Sequence, residues 1–171
     1  MKFILILILT LTLSHANKLD DELKYLTKPQ LEILHTTFKK AKSYDLQWTM
    51  TAMAWQESRF GKALIGRTTP DYGVFQINLK TFKARYAKIL AEPKEDGTLI
   101  DDKDIINMLV SDYELNFVAS LEEIKFWQHV HGNNYMKIWA SYNGGFKGNP
   151  IYANAIKNKI RALRRYFTRI K

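Results

Sequence analysis

The sequence predicts a mainly α-helical single domain with one short β or loop segment set beside a central apolar helix. Apolar residues recur at helical spacing along most of the chain, whereas strand-like alternation is read only over Tyr72–Asn78. Behind an N-terminal apolar leader, 155 residues remain, a length that suits one core of ordinary size.

The leader is Met1 to Ala16. Lys2 gives it a positive start, Phe3 to Leu13 is an uninterrupted run of eleven apolar or threonine residues, and Ser14-His15-Ala16 places small residues where a signal peptidase inspects the chain. The run falls well short of the ~20 residues that span a bilayer, so it is expected to be a secretory signal cleaved before Asn17. The protein is therefore expected in a periplasm or outside the cell. Lys2 is the only Lys or Arg in the leader, so the mature chain carries 25 Lys plus Arg against 17 Asp plus Glu, a formal +8 with His neutral. Such a surface favours an acidic polymer, whether a wall glycan bearing peptide carboxylates, an anionic lipid or a nucleic acid. Composition does not choose among them. Cysteine is absent although export would permit disulfides, so packing must supply the stability.

From Asn17 to Ser43 two helical pieces are expected. The first, Lys18 to Leu26, is charged; in the second, Pro29 occupies a first turn and Leu31, Leu34, His35 and Phe38 line one side. His35, His129 and His131 have no second His or Cys at ligand spacing, so they are read as packed or surface residues and no metal site or cofactor is expected.

The stretch from Leu46 to Asn78 organises the rest. Leu46, Met50, Met53 and Ala54 fall at helical spacing, Trp55 thickens the apolar face, and Gly61 follows, which predicts a largely buried helix ending near Glu57–Phe60. A carboxylate at that end, between Trp55 and Phe60, loses hydration. Desolvation favours its neutral, proton-donating form, as a general acid requires. After the turn-forming Thr-Thr-Pro-Asp, the alternating Tyr72–Asn78 segment is expected as a short strand or extended loop bringing Asp71, Gln76 and Asn78 near the carboxylate.

Glu57-Ser58-Arg59-Phe60, then Tyr72-Gly73-Val74-Phe75-Gln76-Ile77-Asn78, then Ala140-Ser141-Tyr142-Asn143-Gly144-Gly145 resemble, in the same order, the E-S-x-F, G-x-x-Q-I and A-Y-N-A-G motifs of the soluble lytic transglycosylases, which cleave peptidoglycan. The resemblance covers roughly Tyr44 to Phe167. It implies a lysozyme-like fold and cleavage between N-acetylmuramic acid and N-acetylglucosamine, with peptidoglycan strands as the partner, no nucleic acid, and a monomer. It implies Glu57 as the catalytic acid, Gln76 beside it contacting the sugar, and Tyr142 facing it, the phenol hydrogen-bonding the carboxylate or the substrate's acetamido group. Asn143 belongs with the sugar-binding residues, and Ser58 with the helix end and cleft wall. The wider setting, whether wall remodelling, a secretion apparatus, a phage or attack on a competitor, stays open.

At Asp71 the pattern departs. Asp71-Tyr72-Gly73-Val74-Phe75-Gln76-Ile77-Asn78 is similar to the D-Y-G-x-x-Q-I-N segment of animal c-type lysozymes, in which the aspartate is the second catalytic carboxylate. Asp is also favoured after Pro70 simply because its side chain bonds a turn's backbone. Two enzymatic outcomes therefore stand beside a non-catalytic glycan-binding or assembly protein: a lytic transglycosylase using Glu57 alone, and a hydrolytic muramidase using Glu57 and Asp71.

Beyond the centre, Leu79 to Tyr86 returns to helix and Ala91 to Asp102 is expected as a polar, solvated connection. Lys103 to Trp127 is expected as a long helical region broken once, with Ile105, Ile106, Leu109 and Val110 on one face and Leu115, Val118, Ala119, Leu121 and Ile124 on the next. Asn116 either positions the sugar or caps a helix. After the turn cluster His131–Asn134, a helix from Tyr135 leads into the glycines, which admit backbone conformations closed to other residues. Asn149 to Lys171 is expected as a basic helix packed by Ile156, Ile160, Leu163 and Phe167.

Overall fold

In a computed structural model of the chain, residues 18–95 and 97–169 are described. The leader at residues 1–16 and its cleavage point before Asn17 lie outside them. Among the described residues, no helix is long and apolar enough to cross a membrane.

A short helix, α1 (residues 18–24), leads into α2 (Lys28–Ala41), where Pro29 sits in the first turn and Gln30 closes a capping box by accepting from the Thr27 amide at 3.0 Å. A 3-10 turn, Lys42–Tyr44, delivers the chain to α3 (Gln47–Ser58). Helix α3 buries Thr49 to Trp55 without a break, the signature of a helix surrounded on all sides. It packs against α2 and against α9 (Pro150–Arg169), the C-terminal helix, and ends as Arg59 and Phe60 turn to positive φ. Their amides return to the carbonyls of Trp55 and Ala54, and the side-chain amide of Gln30 donates to the Arg59 carbonyl at 2.8 Å, so the start of α2 pins the end of α3.

The segment expected as one strand or extended loop is a tight hairpin. Strands β1 (Asp71–Tyr72) and β2 (Ile77–Asn78) pair antiparallel, Asp71 opposite Asn78 and Tyr72 opposite Ile77. Alternation alone could not show the reversal, because the turn is set by Gly73 at φ 82° and by Gln76 at φ 49°. Asn78 then caps α4 (Leu79–Arg85), its side-chain oxygen accepting from the Thr81 amide.

Helix α5 (Ala87–Leu90) precedes the polar connection, and α6 (Asp102–Ser111) and α7 (Tyr113–His131) are the expected long region. It breaks at Asp112, which leaves the helical conformation and caps α7 through Leu115 N at 3.0 Å. The buried face of α7 keeps the expected Ala119, Leu121 and Ile124 but is turned relative to the expected one. Val118 is exposed, while Asn116, Phe117 and Ser120 turn inward, since tertiary contacts with the hairpin select a face that the spacing of apolar residues does not mark. Helix α8 (Tyr135–Gly144), capped by Asn134, runs through a 3-10 turn (Gly145–Lys147) into α9. In α9 Ile156, Ile160 and Leu163 are buried, and Phe167 stacks on Phe38 at 4.1 Å between ring centres. The result is a mainly helical domain with a two-stranded sheet at the end of its most buried helix.

Candidate active site

A cleft of about 510 Å³ opens where the end of α3, the hairpin and the end of α8 meet. It is lined by the hairpin and α4, by α7, and by the end of α8 with the 3-10 turn. Glu57 stands at the α3 end. Only part of its surface faces the cleft; protein closes around the rest.

That enclosure decides its chemistry. Desolvation drives the Glu57 carboxyl up from 4.5 to about 7, and the negative charge of Asp71 adds to the rise. Opposing both, the Tyr152 hydroxyl donates a hydrogen bond to Glu57 Oε1, which favours the ionised form. A carboxyl balanced near neutrality both gives and takes a proton at little cost.

Tyr152 is the functional residue that sequence reasoning missed. It lies in the first turn of α9, buried, at i−4 from Ile156, so by spacing it reads as one more core aromatic. The motif tyrosine, Tyr142, does not bond the carboxylate, the first of its two expected partners. Its hydroxyl donates to the Phe75 carbonyl at 3.0 Å and meets Ser120 Oγ at 3.1 Å, while its ring lies nearly parallel to that of Tyr152, 6.4 Å away. Tyr142 thus fastens α8 to the hairpin, and Tyr152 reaches the acid. Burial and the neighbouring Glu57 charge hold both phenols well above their ordinary range, so they remain neutral donors.

Removing that donor makes an observable difference. Tyr152→Phe should raise the Glu57 pKa further, moving the alkaline limb of the pH–rate profile to higher pH and lowering the maximal rate by about fivefold, the worth of one hydrogen bond of ~1 kcal/mol. An unmoved limb would mean that the phenol does not act on Glu57.

Asp71, Gln76 and Asn143 all line the cleft with Glu57. Asp71 is held from both sides: Asn78 donates to Oδ1 at 2.8 Å, and the Thr69 hydroxyl donates to Oδ2. Gln76 spends its amide hydrogens on the carbonyls of Gly73 (2.8 Å) and Ala63 (3.3 Å), and Asn143 accepts from Asn149 at 2.8 Å.

Asn116 is a correction to the expected sugar contact or helix cap, and Ser58, expected with the sugar-binding set at the helix end and cleft wall, is found at the helix end but out of the cleft. Asn116 is fully buried: its amide donates to the carbonyls of Tyr72 (2.9 Å) and Leu109 (3.1 Å), and its oxygen accepts from the Phe75 amide at 2.8 Å. It neither meets the cleft nor caps α7; it clamps the hairpin from behind. Ser58, also fully buried, donates to Ala54 O and accepts from the Gly61 amide at 2.8 Å, which closes the turn after α3. Unforeseen in the lining of the cleft is Glu123, which accepts from Trp127 Nε1 and pairs with Arg85, each at 2.6 Å.

The family model described as "Transglycosylase SLT domain" matches residues 35–162, most of the chain. The chain belongs to this family. No curated protein and no solved structure matches it. Membership of the SLT family carries the lysozyme-like fold and lytic-transglycosylase-type activity on peptidoglycan, in keeping with a carboxyl of raised pKa in the cleft. The matched span begins within α2 and ends in α9, so it contains every residue of the site, Tyr152 included.

Proposed function

We propose that this SLT domain is an exported lytic transglycosylase that breaks the β-1,4 bond between N-acetylmuramic acid and N-acetylglucosamine, with Glu57 as acid and then base. The observation that carries the reading is the carboxyl of Glu57, held near pKa 7 by burial inside the cleft and hydrogen-bonded by Tyr152.

The steps follow from that group. Protonated Glu57 gives its proton to the glycosidic oxygen as the bond to the muramic acid C1 breaks. The substrate's own acetamido oxygen closes on C1 and takes up the developing positive charge. Glu57, now a carboxylate, accepts the proton of the muramic acid 6-hydroxyl, and that oxygen displaces the acetamido group to form the 1,6-anhydro ring. Glu57 ends protonated, ready for another turn. No water is consumed and no cofactor is required. Export rests on the leader sequence, and a monomer acting on wall strands is the accompanying expectation.

A second reading, hydrolysis with Asp71 as partner carboxylate, is favoured by one observation: Asp71 lines the same cleft and its charge acts on Glu57. Against it, both Asp71 oxygens are already engaged by Asn78 and Thr69. Asp71→Asn should lower activity by less than about tenfold for a single-carboxylate enzyme, whereas loss of a true catalytic partner costs orders of magnitude. Because the variant removes a nearby negative charge, the Glu57 pKa should fall and the alkaline limb should move to lower pH, opposite to Tyr152→Phe. Mass spectrometry of the muropeptides released from purified peptidoglycan decides the outcome. Ends with the mass of 1,6-anhydro-muramic acid establish the transglycosylase; ends heavier by one water sink it in favour of the muramidase.

A further inference from the structure

Helix α1 lies outside the matched residues 35–162, yet it is firmly seated. Leu19 and Leu23 are buried, and the Asp20 carboxylate accepts from Arg165 Nη2 at 2.6 Å and from its Nε at 3.2 Å, with Arg169 beside it at 3.3 Å. The Asp20 contacts anchor α1 to α9. One further contact runs to α3: the half-buried Glu22 accepts from Trp55 Nε1 at 3.0 Å.

Trp55 is only 2% exposed, so its indole N–H needs an acceptor within the protein, and Glu22 supplies it. The ring lies nearly parallel to that of Phe60, 6.0 Å away, and the Lys159 ammonium of α9 sits over it, 4.5 Å from its centre. Burial lowers the Lys159 pKa; the Glu22 charge opposes that shift, and the cations Arg59 and Lys18 add to it. Glu22 therefore holds the edge of the ring and offsets part of the cost of the ammonium over its face.

The geometry reaches the acid through α9. Tyr152, Ile156 and Lys159 stand at i, i+4 and i+7, one stripe of that helix. The stripe meets α3 twice, Lys159 at Trp55 and Tyr152 at Glu57. Trp55 and Phe60 are also the two aromatics that bracket Glu57 along the chain. Whatever fixes Trp55 against Lys159 thus fixes how α9 lies along α3 close to the acid.

We propose that Glu22 is a positioning residue for the acid: through Trp55 and Lys159 it holds α9 at the placement along α3 that gives the Tyr152 hydroxyl to Glu57. It touches no reacting group itself. A catalytic contact has to be held within about 0.5 Å of its productive geometry, so a small slip of α9 is enough to lose it. This role deepens the glycan-cleaving reading and rests on it.

Glu22→Ala removes the acceptor, whereas Glu22→Gln keeps one and removes only the charge. Leu19, Leu23 and the Asp20–Arg165 pair still seat α1 in both. The groups facing Glu57 are Asp71 from β1, Tyr142 from α8 and Tyr152 from α9, and the last is the one expected to withdraw. Glu22→Ala should shift the titration of Glu57, followed by NMR of its carboxyl carbon, to higher pH, the direction set by loss of the phenol. It should also lower the maximal rate of glycan release by about fivefold, as Tyr152→Phe does. Glu22→Gln should restore both. In the Tyr152→Phe background Glu22→Ala should change neither, because the bond is already gone. Glu22→Asp, one methylene shorter, should shift the titration in the same direction and serves if Glu22→Ala does not fold. A lowered melting temperature with an unmoved titration would make Glu22 a structural contact alone and overturn the proposal. A shift to lower pH, or one that adds to that of Tyr152→Phe, overturns it too. The titration needs no substrate: if it moves as expected in a chain that releases no products, the positioning role stands and the cleaving function falls. If products form and the titration is unmoved, the function stands and the role of Glu22 falls.

Discussion

Replacing Glu57 by Gln should lower glycan release by about 10³-fold or more while raising the stability of the folded chain at pH 8. General acid–base catalysis by one positioned group typically contributes ~10²–10⁴, and Glu57 serves in both directions, so the upper part of that range is expected. Gln keeps the shape of the side chain and can still accept from Tyr152, but it carries no proton to give. The stability gain follows from linkage. The folded-state pKa of about 7 lies above the ordinary 4.5, so between those values the folded chain holds a proton that the unfolded chain has lost. Stability therefore falls as pH rises through that window, and above pH 7 the full cost of a buried carboxylate is present. At ~1.4 kcal/mol per pH unit the cost is on the order of 3 kcal/mol, several degrees in melting temperature for a domain of this size. Thermal melts of both chains at pH 4 and pH 8 test it. Equal differences at the two pH values would mean that Glu57 is solvated, and the acid role would lose its physical basis. The same pKa makes activity depend on the protonated form: kcat/KM should fall as pH rises through about 7.

Gly73→Ala should be the most damaging small substitution, with a loss of about 3 kcal/mol or more. Gly73 has φ 82°, where an L residue is strained, and a Cβ there would lie 2.1 Å from Asn116 Nδ2 and 2.2 Å from the Leu109 carbonyl. One neighbour is backbone and the other is the buried clamp amide, so neither can move aside without breaking the bonds to Tyr72, Phe75 and Leu109. Truncating the clamp itself, Asn116→Ala, should cost a similar amount, because three buried backbone groups lose their partner at ~1–3 kcal/mol each. Both variants should also depress activity in whatever fraction remains folded, since the hairpin carries Asp71 and Gln76 into the cleft. Urea unfolding gives the numbers. A Gly73→Ala chain as stable as the original would show that the hairpin does not sit on α7 as described.

The Asn116 clamp also marks where reading the sequence runs out. An asparagine at the start of a helix fits capping, sugar contact or burial equally well, and only the approach of the hairpin decides that it spends all three bonds on backbone. The two tyrosines show the same limit. Tyr142 stands inside a recognisable motif, whereas Tyr152 hides in an apolar stripe. Tyr152 is buried and Tyr142 half-buried, their rings nearly parallel, yet the packing of α9 against α3 gives the carboxylate to Tyr152. Val118 is expected inside from its apolar side chain, but the rotation of α7 is fixed by Asn116, Phe117 and Ser120, which have partners waiting across the interface.

The features legible in the residues alone are local or compositional. Helix spacing, Pro29 in a first turn, the apolar character of α3 and the placing of Glu57 at its end all follow from residues within a few positions of one another. Hence the mainly helical fold and a desolvated carboxyl at the end of α3 were legible. Packing of the helices settled the rest: which hydroxyl touches that acid, which asparagine is a clamp, and how the 71–78 segment reverses on itself. Each depends on groups tens of residues apart or on a turn held by a distant helix, and no spacing along the chain encodes such a meeting directly.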